Sequence, residues 1–296
     1  MRRVAIDQVP IAKVPPRVPP LTRFPNARRI YCRNHGSRQI FDLGNRTLYK
    51  FRPHKAGVYE SDIHALIQAT TDIPIPIIYN EWVTLEHNGA QIHHLIMEKV
   101  EGEPLHKVWV HLDRPSKERL ALQLSGYLNE LRRITSPSIR AFDGGPLHDE
   151  HGVLFDGRNS ARGPFGDNQS LWLALTSHLQ ESPSGEIQQA LINLRSIMPQ
   201  GFPAVLTHAD LHQGNILVHN RCISAIIDWE GAGFFPCWLE YVRYYPTSSS
   251  PEFEFEILVM RSMETYPVAR RFMTILDALR GPEQWLVNWA IRELGC

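Results

Sequence analysis

The sequence lacks the features that mark nucleic-acid-binding, secreted or membrane proteins. Its 31 basic and 31 acidic residues cancel, so no excess of positive charge indicates a nucleic-acid partner. No apolar run approaches the roughly 20 residues of a membrane span. The N-terminus has no apolar core of a secretory signal. These absences favour a cytoplasmic protein that binds neither nucleic acid nor membrane, and they leave the oligomeric state open.

Cysteine is also sparse, and two common phosphate-binding loops are missing. The four cysteines stand far apart without a Cys-x-x-Cys pair, which argues against a zinc ribbon or a disulfide framework and favours a reduced environment. No Gly-x-x-x-x-Gly-Lys-Ser/Thr sequence is present, so a P-loop is excluded. No Gly-x-Gly-x-x-Gly precedes Lys50, which argues against a protein kinase.

Proline, by contrast, is concentrated at the N-terminus. Residues 1–25 carry six prolines and five Lys or Arg residues. This composition predicts a flexible or extended tail over 1–26. A polyproline II segment that binds a partner is the alternative interpretation.

The strongest chemical signal is a set of polar residues between short apolar segments. Asp210 stands five residues before Asn215, and a second carboxylate, Asp228, follows thirteen residues later. Phosphoryl transfer needs a group that accepts the proton of the attacking hydroxyl, and a Mg²⁺ site that neutralises charge on the phosphate oxygens. Asp210 can fill the first role. Asn215 and Asp228 can fill the second, because Mg²⁺ prefers oxygen ligands.

The segment between Asn215 and Asp228 predicts a β-hairpin. A strand over 215–218 and a returning strand over 223–227 flank a turn at 220–221. Symmetric pairing would place Asn215 opposite Asp228, with β-carbons roughly 5 Å apart. That spacing suits two side chains that share one cation. An ordinary hairpin with turn-forming residues at its ends is the alternative.

Two segments carry a family resemblance, HADLHQGNIL at 208–217 and IDWE at 227–230. They resemble the catalytic loop and metal motif of aminoglycoside phosphotransferase/choline kinase-like enzymes, which are small-molecule relatives of protein kinases. The resemblance extends over most of residues 27–245. It implies that Asp210 is the catalytic aspartate and that Asn215 and Asp228 bind the metal. The implied activity is ATP- and Mg²⁺-dependent transfer of the γ-phosphate to a hydroxyl of a small molecule.

Upstream, the same resemblance implies a lysine–glutamate pair at the nucleotide phosphates. Alternation in a strand over 47–51 places Lys50 on the face opposite Tyr49. A helix from 59 to about 70 carries Glu60 on its apolar face. The resemblance makes Lys50 the residue that contacts the phosphates and Glu60 its partner. Asp62 remains open as the partner instead, and a solvated strand end is the alternative interpretation of Lys50.

The next hairpin leads into a segment that resembles the family's interlobe hinge. Strands over 82–85 and 91–97 flank Asn88-Gly89, a strong hairpin signal. By position, the resemblance makes the carbonyl of Glu98 and the amide of Val100 the adenine contacts. It makes Met97 a residue that lines the pocket behind the base. The choice between ATP and GTP stays open.

Beyond the hinge, the pattern becomes helical. An amphipathic helix is predicted over 115–134, with a leucine stripe and with Asp113 or Ser116 as its cap. Further helices are predicted over 169–180, 186–197, 253–263, 268–279 and 282–294. The predicted fold is α+β and bilobal, of the protein kinase-like type. A small antiparallel-sheet N-lobe with one helix spans 27–98, and a mainly helical C-lobe with the catalytic loop and acceptor site spans 99–296.

Two other functions compete with this interpretation. His208, Asp210 and His212 occupy alternate positions, as the ligands of a zinc hydrolase can. The competing role for both histidines is to brace the catalytic loop through hydrogen bonds. A kinase-like protein that binds nucleotide without catalysis is the third interpretation. The identity of the phosphate acceptor is not encoded in any of these residues.

Overall fold

The computed structural model describes residues 13–17, 19–33, 37–54, 59–149, 152, 154–155, 161–244 and 252–296. The chain divides into two compact units. The first comprises Met1–Pro104 and Ile216–Ile227, and the second comprises Leu105–Asn215 and Asp228–Cys296. The boundary thus differs from the predicted one after residue 98. The reason is that Glu103–Pro104 pairs with strand Ile216–His219, which keeps both segments in the first unit.

The segment predicted as a flexible or extended tail is partly helical. Residues 1–12 and 18 lie outside the described residues. Pro20–Arg23 forms a one-turn helix (α1), and Phe24 packs against the buried cluster of Leu43, Tyr49 and Trp82. Over its described residues the tail therefore contributes to the packing of the first unit.

The main feature of the first unit is a five-stranded antiparallel sheet in the order β1-β2-β3-β5-β4. Its strands are β1 Arg28–Arg33, β2 Arg38–Gly44, β3 Thr47–Pro53, β4 Ile78–Leu85 and β5 Gln91–Glu98. Helix α2 spans Glu60–Thr70. The hairpin turns form where the sequence indicates, since Asn45, Arg46 and Gly89 all have positive φ.

Strand alternation separates two clusters in this sheet. Tyr49 packs with Trp82 and Leu43, whereas Leu48 packs with a second cluster that contains Leu95 and Met97. Lys50 therefore shares the face of Leu48, as its position in the strand predicts.

The hairpin before Asp228 forms, but its predicted register is wrong. Strands β12 Ile216–His219 and β13 Cys222–Ile226 pair Ile216 with Ile226, and the register shifts between Leu217 and Val218. The turn consists of Asn220 and Arg221 alone, both with positive φ, so His219 pairs with Cys222, and the extra residue of the bulge lies in β13. Asn215 ends a 3-10 turn, Gln213–Asn215, and Asp228 follows β13, so neither is part of the ladder. The two metal-ligand candidates are not cross-strand partners.

The second unit is mainly helical. Its described helices are α3 Leu105–Val108, α4 Arg114–Leu131, α5 Asn168–Thr176, α6 Gly185–Ser196, α7 Leu239–Arg243, α8 Phe253–Ser262, α9 Pro267–Arg280 and α10 Gln284–Glu293. Asp113 caps α4 by accepting the Ser116 N–H at 3.0 Å. The predicted stripe is buried at Leu120, Leu124, Leu128 and Leu131. Helix α4 ends earlier than predicted because Thr135–Ser136 joins a sheet.

Several short strands were not predicted from the sequence. The strands are β6 Glu103–Pro104 of the first unit and, in the second, β7 Thr135–Ser136, β8 Arg140–Ala141, β9 Leu147–His148, β10 Ala161–Arg162, β11 Ala204–Thr207 and β14 Gly233–Pro236. Most have two residues, too few to show a period. Four of them form the sheet β7-β11-β14-β8. In the part of the chain that the structure describes, no helix combines the length and apolar character needed to cross a membrane.

Candidate active site

A two-strand ladder brings the two candidate catalytic segments to the same end of a sheet. Strand β11 ends at Thr207, which pairs with Gly233, the first residue of β14. The chain that leaves β11 carries Asp210, and the chain that enters β14 carries Asp228. Antiparallel pairing therefore places both loops beside each other in the second unit.

Backbone contacts hold the loop after β11 in a fixed shape. Ala209 has a left-handed φ of 63°, an uncommon conformation for a residue with a β-carbon. Its N–H donates to Oε1 of Glu240 at 3.2 Å. The Asp210 N–H donates to Nδ1 of His208 at 3.2 Å, and the His208 ring packs against that of Trp229 at 4.5 Å between centroids. The backbone around Asp210 is thus held from both sides.

The side chain of Asn215 is hydrogen-bonded to Asp210. Its Nδ2 donates to the Asp210 backbone oxygen at 2.8 Å and to Asp210 Oδ2 at 3.2 Å. Both partners are acceptors, so the amide nitrogen must face them. The carbonyl oxygen of Asn215 is then the atom that can ligate a cation.

A cation that the sequence did not predict lies beside Asp210. Nη2 of Arg243 lies 3.6 Å from Asp210 Oδ1, and both side chains are mostly buried, with 16% and 20% exposure. Arg243 ends α7, which also carries Glu240. Burial raises the pKa of the Glu240 carboxyl, while Arg243 and the Ala209 N–H oppose that rise. Nothing in the local sequence signals this contact, because Arg243 follows Asp210 by more than thirty residues.

Asp228 has a backbone conformation that is uncommon for its residue type. Its φ of 67° and ψ of 56° lie in the left-handed region, immediately before the 3-10 turn Trp229–Gly231. Such residues cost of order 1–3 kcal/mol and tend to occur at functional sites. The carboxylate of Asp228 and the carbonyl oxygen of Asn215 are hard oxygen donors. The donor chemistry fits Mg²⁺, which binds few protein oxygens and keeps waters and phosphates as its other ligands.

The two loop histidines act as backbone acceptors. Nδ1 of His208 accepts the Asp210 N–H, and Nδ1 of His212 accepts the Gly214 N–H at 3.0 Å. His208 is fully buried. This arrangement agrees with the bracing role, and among the described residues His208, Asp210 and His212 are not a group whose ligand atoms converge on one metal ion.

In the first unit, Lys50 pairs with Glu60. The Lys50 ammonium donates to Glu60 Oε1 at 3.0 Å, and both side chains are almost completely buried. Asp62, the alternative partner, instead binds Lys13 at 2.6 Å near the surface. Sequence analysis missed a second cation: Nη2 of Arg52 lies 3.4 Å from the same Glu60 oxygen. Alternation along β3 is the signal that could have found it, because Lys50 and Arg52 share a face.

The hinge candidates lie at the end of β5. Met97 is buried with Ile78 and Leu95. The Glu98 N–H donates to the Ile77 oxygen at 2.8 Å, so the backbone of Glu98 still belongs to the sheet. Val100 follows two residues later, beyond the strand. The structure thus places all three residues in one short segment.

Comparison with solved structures defines the class of fold. The chain resembles APH(2")-IIa in a ternary complex with streptomycin and ATP, at 14% identity, with 90% of each chain covered and a TM-score of 0.54. It also resembles ADP-bound aminoglycoside phosphotransferase APH(2'')-Ib, at 16% identity, with 90% of this chain and 91% of that chain covered and a TM-score of 0.53. At such identities the likeness establishes the fold. The predicted class, an α+β protein kinase-like fold, is confirmed.

A sequence model of the phosphotransferase enzyme family (APH) matches residues 48–262. The chain therefore belongs to this family, and the resemblance inferred from residues 208–217 and 227–230 is confirmed. No curated protein matches the sequence.

Proposed function

We propose that this protein transfers the γ-phosphoryl group of ATP to a hydroxyl group of a small molecule. The observation that carries the proposal is the Asp210–Asn215 contact in a member of a phosphotransferase family. It combines a carboxylate that can accept a proton with an amide oxygen that can ligate a metal. Both lie on a loop held by buried partners.

Asp210 is the proposed proton acceptor. Its carboxylate orients the acceptor hydroxyl in line with the γ-phosphorus. The hydroxyl oxygen forms the new P–O bond, the bond from the γ-phosphorus to the bridging oxygen breaks, and ADP leaves with that electron pair. The hydroxyl proton passes to Asp210. Arg243, 3.6 Å from Oδ1, restrains the carboxylate during this transfer. Positioning and preorganised charge supply most of the rate in such reactions.

Asn215 and Asp228 are the proposed metal ligands. Mg²⁺ held by them would neutralise charge on the phosphate oxygens. The contact from Asn215 Nδ2 to Asp210 orients the amide so that its oxygen is the ligating atom. The left-handed backbone at Asp228 fixes the direction of its carboxylate.

Lys50 and the hinge segment are the proposed nucleotide contacts. The buried pair with Glu60 holds the Lys50 ammonium in one orientation, which supports a role toward the phosphates. The carbonyl of Glu98 and the amide of Val100 would bind adenine, with Met97 behind the base. Family membership supports these assignments.

Substitution of the proposed base tests the function. A panel of hydroxylated small molecules is first screened for acceptor-dependent ATP consumption. Asp210→Asn should then lower kcat on the best acceptor by about 10²–10⁴, the usual contribution of a general base. Calorimetric affinity for Mg²⁺–AMP-PNP should stay within about twofold, because the change keeps the shape of the side chain.

A second aspartate serves as the matched control. Asp143 accepts the Gly145 N–H in an exposed turn, so Asp143→Asn should leave turnover unchanged. Full turnover by Asp210→Asn would refute the proposed mechanism. Nucleotide binding without turnover on any acceptor would favour the non-catalytic alternative, and inactivation by a zinc-specific chelator would favour the hydrolase.

A further inference from the structure

The helix that carries Glu60 begins without a cap of its own. Glu60 is the first residue of α2, and the preceding residue, Tyr59, makes no side-chain hydrogen bond to the helix. The first N–H groups of an α-helix have no partner within the helix. In a buried position such groups need an acceptor from elsewhere.

That acceptor comes from the neighbouring sheet. Glu81, a fully buried residue of β4, accepts the Glu60 N–H at 2.8 Å through Oε1 and the Ser61 N–H at 2.9 Å through Oε2. A carboxylate at this end of a helix also interacts favourably with the helix dipole. Both oxygens of one side chain therefore hold the first turn of α2.

Glu81 is itself held by His93 of the adjacent strand. Nε2 of His93 lies 2.6 Å from Glu81 Oε1, and His93 is buried. In the β4–β5 ladder, Val83 pairs with His93 and Glu81 pairs with Leu95, so Glu81 and His93 are diagonal neighbours on one face. The rings of Tyr59 and His54 pack against His93 at 5.7 and 5.5 Å between centroids. The histidine thus has little freedom to move.

We infer that Glu81 and His93 are positioning residues that hold Glu60 against Lys50, and so set the orientation of the lysine that binds the nucleotide phosphates. The role of Lys50 toward the phosphates rests on the proposed function. Glu60 makes both contacts itself: its N–H donates to Glu81, and its carboxylate accepts from Lys50. No flexible segment separates the cap from the ion pair.

Variants of His93 and a matched histidine test this inference. His93→Leu removes the donor to Glu81, whereas His93→Gln can restore an N–H at a similar reach. The control is His94→Leu. His94 lies on the opposite face of β5, where it bonds to Tyr49 and Thr84 and not to Glu81.

Two measurements are made on each folded variant. Hydrogen exchange reports protection of the α2 amides at residues 60–63, and calorimetry reports affinity for Mg²⁺–AMP-PNP. For His93→Leu we expect faster exchange at these amides and about tenfold weaker affinity, with most of both effects rescued in His93→Gln. His94→Leu should reduce stability without changing either readout. Glu81→Gln, which keeps one acceptor oxygen for two helix N–H groups, should resemble His93→Leu.

Lys50→Ala is the reference for the nucleotide measurement. Unchanged exchange in both His93→Leu and Glu81→Gln would overturn the inference. Faster exchange with unchanged affinity, in a protein whose affinity falls in Lys50→Ala, would also overturn it. Failure of the unmodified protein to bind Mg²⁺–AMP-PNP would instead refute the proposed function, and exchange alone would then decide whether Glu81 and His93 hold Glu60.

Discussion

The carboxylate of Glu60 offers the sharpest test of how the first unit is held together. Its Oε1 forms ion pairs with two buried cations, Lys50 at 3.0 Å and Arg52 at 3.4 Å. Glu60→Gln keeps the volume and one acceptor oxygen but removes the negative charge that both cations share. The variant therefore separates charge from shape.

The size of the effect follows from burial. Removing one partner of a buried ion pair typically costs about 3–5 kcal/mol, because a buried charge is left less well compensated. Glutamine retains an acceptor oxygen, so we expect Glu60→Gln to lower the free energy of unfolding by about 3 kcal/mol, the lower end of this range. At roughly 2–4 °C per kcal/mol, the midpoint of the transition that includes the first unit should fall by roughly 6–12 °C.

Thermal unfolding with and without Mg²⁺–AMP-PNP measures both consequences of Glu60→Gln. The midpoint should fall in the absence of nucleotide. The additional rise on adding nucleotide should be smaller than in the unmodified protein, because Lys50 is less well oriented and the affinity is lower.

A nearby aspartate provides the control. Asp62 lies two residues further along α2 and pairs with Lys13 at 2.6 Å, but the two side chains are 49% and 37% exposed. Exposed pairs contribute about 0–1 kcal/mol, so Asp62→Asn should shift the midpoint little. Equal midpoints for Glu60→Gln and Asp62→Asn would refute the reasoning from burial.

Three further outcomes are expected. Asp228→Asn should raise the Mg²⁺ concentration needed for half-maximal nucleotide binding, measured by calorimetric titration at several Mg²⁺ concentrations; an unchanged requirement would remove Asp228 from the metal site. Arg243→Gln should lower kcat by about tenfold while leaving nucleotide affinity intact, because it removes the cation beside Asp210 Oδ1; steady-state kinetics would measure this fall, and an effect confined to KM would contradict it. Burial lowers the pKa of His94 from 6.5 to about 4, so the unfolded chain binds this proton more readily. The free energy of unfolding should therefore fall by about 2 kcal/mol as the pH drops from 6.5 towards 4. Urea unfolding at a series of pH values measures this fall, which should be smaller in His94→Gln.

Strand faces, turns, the buried stripe of α4 and the catalytic motif could be predicted from the sequence, because each depends on residues that are close together in the chain. Alternation placed Lys50 on one face of β3, and Asn45, Arg46 and Gly89 supplied the turns. The period of α4 gave its buried stripe. The motif at 208–217 carried the family resemblance, since catalytic residues a few positions apart on one loop must keep a fixed spacing. These features depend on backbone geometry within a few residues.

The register of the β12–β13 hairpin, in contrast, was not predicted correctly. Both strands were predicted to within a residue, but the two-residue turn pairs His219 with Cys222, and the bulge between Leu217 and Val218 shifts the pairing by one residue. The bulge is a feature of the folded ladder that the apolar pattern of these short strands did not indicate. Only the folded ladder shows that Asn215 and Asp228 lie outside it.

Tertiary structure alone decided which groups surround the candidate catalytic residues. The sequence determined that Asp210, Asn215 and Lys50 are present on suitable elements. It could not show that Arg243 lies beside Asp210 or that Glu81 caps the helix of Glu60. These contacts join residues twenty or more positions apart, and such pairs meet only when strands and helices pack. Packing depends on the whole chain, whereas the spacing of a motif depends on its own few residues.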